Sequence, residues 1–324
     1  MILVTGATGF LGGEVAKQLV AKGDKPVCIK RASSVIPEVL KPFAGSINWL
    51  DADMLDVFAL ETALQGVTQV YHCAAMVTFD PAKGKTMIKN NVEGTANLVN
   101  LCDELNIRLL HVSSVAAIGE AKPGLLITEN NHLEDTHTKD AYAISKYESE
   151  MEVWRGIAEG LNAVIVNPSM IIGVNTGIKG TGQIFEKVRT GFKYYTKGSI
   201  GFVDVEDVAK SMIALMNTDI QAERFIINAE NWNYKDLFAQ TAQGFGIKAP
   251  QTEATPGMLN WAWRLSSVWS FLTGRHVGID KVSAQAASKN LDYSNAKIIK
   301  TIGIEFKPIS QSIKEICSTL SLKV

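Results

Sequence analysis

Apolar and polar positions along the chain follow two rhythms. Short apolar runs at Met1–Thr5, Pro26–Lys30, Ile47–Leu50, Gln69–Cys73, Leu109–Ser113 and Ala163–Asn167 predict strands, with a seventh at Arg224–Asn228. Helix-period segments stand between them at Gly12–Lys22, Val57–Gln65, Lys85–Leu105 and Ala141–Glu159. Repeated strand–helix alternation predicts an α/β fold, a doubly wound parallel sheet of about seven strands with helices on both faces. Ligands of such sheets bind beyond the carboxyl ends of the strands, so the residues just after each strand hold the chemistry. After Asn167 the rhythm breaks. Gly173, Gly177, Gly180 and Gly182 mark a glycine-rich stretch, and helical and loop segments fill Tyr234 to Val324.

The first strand runs into Thr5-Gly6-Ala7-Thr8-Gly9-Phe10-Leu11-Gly12 and then into a helical pattern. Strand, glycine turn and helix in this order predict a dinucleotide-binding unit. Gly6 allows the tight turn, Gly9 lets backbone approach a pyrophosphate, and Gly12 lets the helix pack on the strand. The phosphates would meet free N–H groups at the helix N-terminus. On this basis residues 1–168 and 203–230 form a Rossmann-type dinucleotide-binding domain. Residues 169–202 and 231–324 form a smaller substrate-binding part.

Composition narrows the class. The 324 residues exceed what one core usually fills. A hydrophobic share of 46% with 20% charged residues fits a soluble globular protein, and a net charge of −1 makes no electrostatic case for nucleic acid. Cys28, Cys73, Cys102 and Cys317 form no CxxC pair and have no histidine cluster beside them, so they read as reduced thiols without a metal. A strand beginning at Met1 leaves no room for a signal peptide, and no apolar run is long enough to span a membrane; a cytoplasmic protein is expected.

Candidate chemistry follows the strand ends. Arg31, with Lys30, Ser33 and Ser34 beside it, stands where an acidic residue would bind the ribose hydroxyls of NAD. A guanidinium with hydroxyls suits the 2′-phosphate of NADP, so NADP is expected and NAD is the less favoured cofactor. Asp53 after the third strand is either an acceptor for the adenine amino group, with Met54 packed on the base, or a helix cap. Ala74 and Ala75 are small enough for a cofactor to lie across the fourth strand end, and His72 reads as a packed, hydrogen-bonded histidine. The fifth strand ends in Ser113-Ser114, and the next helix holds Tyr142-Ala-Ile-Ser-Lys146, whose Tyr and Lys share one face. A phenol near pKa 10 is a poor base at neutral pH, and a nearby ammonium lowers that value. Ser114 would hold a carbonyl or alcohol oxygen. A second Tyr-x-x-x-Lys, Tyr293 to Lys297, has no sheet edge beside it and reads as structural.

The chain resembles extended short-chain dehydrogenase/reductases of the NAD(P)-dependent epimerase/dehydratase group, in particular the dihydroflavonol-4-reductase and 3β-hydroxysteroid-dehydrogenase-like branch. The resemblance rests on the glycine motif, Asp53-Met54, His72 to Ala75, Asn91 to Thr95, Ser113-Ser114, Tyr142 to Lys146, Asn167-Pro168-Ser169 and Val203 to Ala209, in family order. It implies Tyr142 as acid/base, Lys146 on the nicotinamide ribose, Ser114 orienting the reacting oxygen, and Pro168 and Ser169 against the nicotinamide. Asn91 is implied as either a tie between elements or part of a proton relay, and Asp207 as a loop anchor. Val115 and Ala116 occupy the acidic pair of sugar dehydratases, which removes that reading's proton donor.

The expected function is therefore an NADP-dependent oxidoreductase reversibly reducing a ketone or aldehyde on a largely apolar small molecule. A sugar or nucleotide-sugar epimerase is the alternative, and a non-catalytic NADPH-binding regulator the second. Gly84-Lys85-Thr86 is not a phosphate-binding NTPase loop, because Phe79 stands where its first glycine belongs. Met258 to Thr273, with Trp261, Trp263 and Trp269, reads as a lid, core or membrane-surface helix. Either a monomer or a homodimer through Lys85–Leu105 and Ala141–Glu159 is expected.

Overall fold

The computed structural model describes residues 1–322 except 79, 123, 134–135, 137–139, 178–179, 256, 259–260 and 262–287. Seven strands build the main sheet: β1 (Ile2–Thr5), β2 (Val27–Lys30), β3 (Asn48–Asp51), β4 (Gln69–His72), β5 (Arg108–Val112), β6 (Ala163–Pro168) and, late in the chain, Glu223–Ile227. The spatial order is the late strand, β6, β5, β4, β1, β2, β3, and each pairing is parallel. The order reverses at β1, where β2 lies on one side and β4 on the other. A crevice at such a reversal is where doubly wound sheets bind ligands. The expected fold class, a doubly wound seven-stranded parallel sheet with a smaller C-terminal region, is the observed one.

Helices α1 (Phe10–Ala21), α2 (Val57–Ala63), α3 (Gly84–Glu104) and α4 (Ala141–Glu159) cross between strands. Strand residues alternate between two buried faces. Val4, Tyr71, Leu110 and Val164 face one cluster, which includes Val15 and Leu19 of α1. Leu3, Val70, Leu109 and Ile165 face the other, under Leu98 and Val99 of α3 and Val153 of α4. Burial on both faces explains why these strands read as continuous apolar runs.

A second sheet was not anticipated. Met170–Ile172 (β7) pairs in parallel with Ser199–Asp204, numbered β9 after the two-residue strand β8 (Tyr194–Tyr195). The late strand Glu223–Ile227 is thus β10, and β9 also pairs with β11 (Glu230–Asn233) and with Asn290–Leu291. Helices α5 (Gly182–Arg189), α6 (Val205–Met216) and α7 (Tyr234–Gly244) follow, and a C-terminal helix spans Ile309–Ser321. Phe185, Phe202, Leu237, Ile313 and Ile316 form a separate core around this sheet. Asp204 and Asp207 fasten the C-terminal segment: Lys307 Nζ reaches Asp204 at 3.2 Å, and Lys307 N donates to Asp207 Oδ2 at 2.6 Å. Tyr293 is buried, and its backbone oxygen accepts from Asn231 Nδ2 at 3.0 Å. Among the described residues no helix is long and apolar enough to cross a membrane.

Candidate active site

The glycine turn is built by close backbone approach. Gly6 has φ +68°, and a Cβ there would lie 2.7 Å from the Ala74 nitrogen. A Cβ on Gly12 would lie 2.4 Å from the Gly6 oxygen. Neither position admits a side chain. Gly9 caps α1 without any side-chain bond to its first turn, which leaves the early amides of Phe10, Leu11 and Gly12 facing outward from the helix end. Thr8 lies in the turn itself, and Phe10 and Leu11 are half-buried at its edge. An uncapped helix N-terminus beside a glycine cradle fits a dinucleotide pyrophosphate.

Thr5 pins this turn to β4 rather than facing outward. Its Oγ1 is buried, accepts from Ala74 N at 3.0 Å and contacts His72 Nδ1 at 2.8 Å. His72 Nε2 meets Thr95 Oγ1 at 3.1 Å, and burial, with Lys146 nearby, pulls the imidazole down to about 3. His72 is therefore a neutral structural histidine. Asp53 makes a local turn, accepting from Leu55 N at 3.0 Å, while the cap of α2 is Asp56, which accepts from Ala59 N at 3.0 Å. Met54 is half-buried and packs against Gly94, where a Cβ would sit 2.9 Å away. Ala75 is exposed beyond β4.

Ser114, Tyr142 and Lys146 converge. Ser114 lies two residues beyond β5, capping the turn that follows; its side chain accepts from Ala116 N at 3.1 Å and shares a hydrogen bond with Tyr142. Lys146 lies one helical turn after Tyr142; its ammonium is buried and donates to Val112 O at 2.9 Å. Burial draws Lys146 down to about 8, against the opposing pull of Cys73 and Glu150. Burial also raises the Tyr142 phenol above its ordinary 10, Asp140 adds to this, and the bond to Ser114 opposes it. Burial dominates at Tyr142, and the opposing pull comes from Ser114 rather than from Lys146 as expected. A phenol held protonated beside a serine hydroxyl can donate to a substrate oxygen.

Asn91 makes three ties. It accepts from Met76 N at 2.7 Å, and donates to Met76 O at 2.9 Å and to Ser145 Oγ at 2.8 Å. Pro168 ends β6, and Ser169 N donates to Ile227 O at 3.0 Å. Val115–Ala117 is a short 3-10 turn whose first residue is buried, so no carboxylate follows Ser114. Among the described residues no His, Cys, Asp and Glu cluster could hold a metal. Of Met258 to Thr273, Met258 and Trp261 are exposed; the rest, Trp263 and Trp269 included, lies outside the described residues.

A model of the NAD dependent epimerase/dehydratase family matches residues 2–228. The chain belongs to this family. It is an NAD(P)-binding enzyme family, so the enzymatic class expected from the residues stands. The solved structure of gox2253 is 28% identical, with a TM-score of 0.86 over 100% of this chain and 98% of that one. Cinnamoyl-CoA reductase 1 of Petunia hybrida is 26% identical over 338 residues, covering 100% of this chain and 92% of the relative. The UDP-glucose 4-epimerase of Thermus thermophilus shares the fold, with a TM-score of 0.77, 18% identity and coverage of 100% and 99%.

One expectation is overturned. NADP was favoured and NAD placed second, but several structures sharing this fold hold NAD, the Thermus thermophilus epimerase and DesIV of Streptomyces venezuelae among them. The physical reason lies at Arg31. It sits on an exposed turn closed by Ser34 N to Arg31 O at 2.8 Å, and among the described residues its guanidinium has no hydrogen bond or ion pair to hold it in place. Lys30 beside it is occupied by Asp51 at 2.5 Å. An exposed, unanchored cation is screened and loses side-chain entropy when it binds, which is weak ground for a phosphate preference.

Proposed function

We propose that this chain is an NAD-dependent enzyme that exchanges hydride at an alcohol or carbonyl carbon of a sugar or nucleotide sugar, in the manner of an epimerase. The observation that supports it most is the meeting of Ser114, Tyr142 and Lys146 at the carboxyl end of the sheet, which also carries the uncapped glycine turn. Bound NAD would supply hydride-transfer chemistry. Thr8, Gly9 and the amides of Phe10, Leu11 and Gly12 would hold its pyrophosphate, with Asp53, Met54, Ala74, Ala75, Pro168 and Ser169 along its length. Ser114 orients the substrate oxygen. Once its own proton has passed to solvent, the Tyr142 phenolate would take the proton of that oxygen as an alcohol becomes a carbonyl, and in the reverse direction the phenol would give it back. Lys146 binds the ribose and holds positive charge near that oxygen. Val115 and Ala116 leave no acid for dehydration.

A second reading, net reduction of a carbonyl compound, has its own support. Tyr142 held protonated by burial starts the cycle with a proton to give, and the petunia reductase matches the chain end to end. Mass spectrometry of nucleotide released from purified protein tests the cofactor. Incubation with UDP- and dTDP-sugars, followed by proton NMR, and with aromatic and alicyclic carbonyls, followed by NADH absorbance, tests the reaction. Epimers without net NADH loss support the first reading, and carbonyl-dependent NADH loss the second. Turnover that survives Tyr142→Phe refutes both.

A further inference from the structure

We infer that Glu150 is a positioning residue for this site: it sets Ser114 against Tyr142 by holding the turn after β5 to the helix that carries Tyr142 and Lys146. This rests on the reading of Ser114, Tyr142 and Lys146 just given. Glu150 lies four residues after Lys146 and eight after Tyr142, on the same face of α4. It is fully buried, and both of its oxygens are taken. Oε2 accepts from the Ser113 hydroxyl at 2.5 Å and from Asn167 Nδ2 at 2.8 Å. Oε1 accepts from Trp154 Nε1 at 3.2 Å and from Arg224 Nη1 at 3.1 Å.

Two of those donors reach further. Asn167 Nδ2 also donates to Ser114 O at 3.0 Å. Arg224 donates through Nη2 to Glu129 O at 2.6 Å and to Asn131 O at 2.8 Å. The Glu129 carboxylate in turn accepts from Ile226 N at 3.0 Å on β10. The chain leaving Ser114 is therefore fastened at its start through Asn167 and at its far end through Arg224, and both fastenings meet at one carboxylate. Four donors converge on Glu150, so a neutral amide there turns an NH2 toward another donor. A buried ion pair is weak evidence for stability, because desolvation offsets most of its attraction. Its consequence here is positional. A misplacement of about 1 Å in a reacting constellation costs roughly a hundredfold in rate.

The test compares Glu150→Gln and Ser113→Ala in the full chain, using the substrate identified by the turnover screen. Ser113→Ala removes one donor and keeps the carboxylate charge. We expect kcat to fall about a hundredfold in Glu150→Gln and about tenfold in Ser113→Ala. KM and the NADH dissociation constant should stay within about threefold, which loosening of the whole fold would not spare. Lysine-labelled protein followed by 13C NMR, with Lys146→Arg for assignment, reads the charge effect separately. The Lys146 titration should fall below about 8 in Glu150→Gln and stay in place in Ser113→Ala. A Ser113→Ala enzyme with kcat within twofold of wild type overturns the inference. So does loss of cofactor affinity in parallel with kcat, or loss of kcat only where the Lys146 titration moves. If Glu150→Gln does not fold, Ser113→Ala decides alone. Active Tyr142→Phe defeats the underlying reading, whereas inactive Tyr142→Phe with normal Ser113→Ala defeats only this inference.

Discussion

Replacing Lys146 with methionine should stabilise the cofactor-free protein while abolishing turnover. Lys146 is buried, and its ammonium is drawn from 10.5 to about 8 chiefly by desolvation. The sign follows from proton linkage. Between about pH 8 and 10.5 the unfolded chain binds the proton and the folded chain does not, so wild-type stability rises with pH across that window. Below it, the buried charge destabilises the fold by about 3 kcal/mol, from about 1.4 kcal/mol for each factor of ten in proton affinity. Methionine removes that charge and fills nearly the same volume. It also leaves the Val112 oxygen without its donor, at a cost of about 1 kcal/mol. The net gain at pH 7 is then about 2 kcal/mol. Urea unfolding of wild type and variant at pH 7 and at successive steps to pH 10.5 measures it. The advantage should be full at pH 7 and shrink as the pH rises through the window. A variant less stable than wild type at pH 7, or an advantage that does not change with pH, refutes the reasoning.

Tyr142→Phe should lower turnover by at least about a thousandfold, with NADH affinity by fluorescence titration within about threefold, because the phenol moves the proton and does not carry the cofactor. Gly12→Ala would put a Cβ 2.4 Å from the Gly6 oxygen; isothermal titration should show cofactor affinity reduced at least about tenfold, and thermal unfolding a loss of about 2 kcal/mol. The Tyr142 phenol stands above its ordinary value, so the rate of single-turnover alcohol oxidation should still be climbing as the pH passes about 10, while carbonyl reduction stays level to that point. Lys307→Met removes the cation beside nearly inaccessible Asp204, which keeps its hydrogen bonds from Ser312 and Glu206 N, and should cost about 3 kcal/mol in urea unfolding, with activity per folded molecule unchanged.

The main sheet was legible because its strands are buried on both faces and so write continuous apolar runs, and because the helices between them write a different period. Ala141–Glu159 is read to the residue at both ends, and the other three crossing helices to within about two. The second sheet was not legible. Its strands are as short as two residues, and β9 finds its partners at residues 170–172, 230–233 and 290–291. No local pattern records a pairing between segments that far apart. Gly201 shows the same problem at one residue: within β9 a Cβ would lie 2.3 Å from Asn228 Oδ1, a contact that no local pattern records.

Within the candidate site, legibility followed local spacing. The glycine turn and the Tyr142–Lys146 pair are local patterns, and both stand out. Thr5 opens the dinucleotide motif by position, yet its hydroxyl is bonded to Ala74 N and His72, which the motif alone does not show. Arg31 failed for a related reason: the sequence shows that a cation is present, but not that nothing anchors it. Glu150 was missed although one signal was available. Counting on by four from Tyr142 reaches Lys146 and then Glu150, so a carboxylate continues the buried face of α4 inward from the catalytic pair. A charge at that depth requires partners, and Arg224 lies 74 residues away on β10. The rule that finds such a residue is therefore one of satisfaction: a charged side chain on the buried stripe of a helix that carries the chemistry predicts a donor cluster beneath the site. In this chain that cluster ends on the turn carrying Ser114.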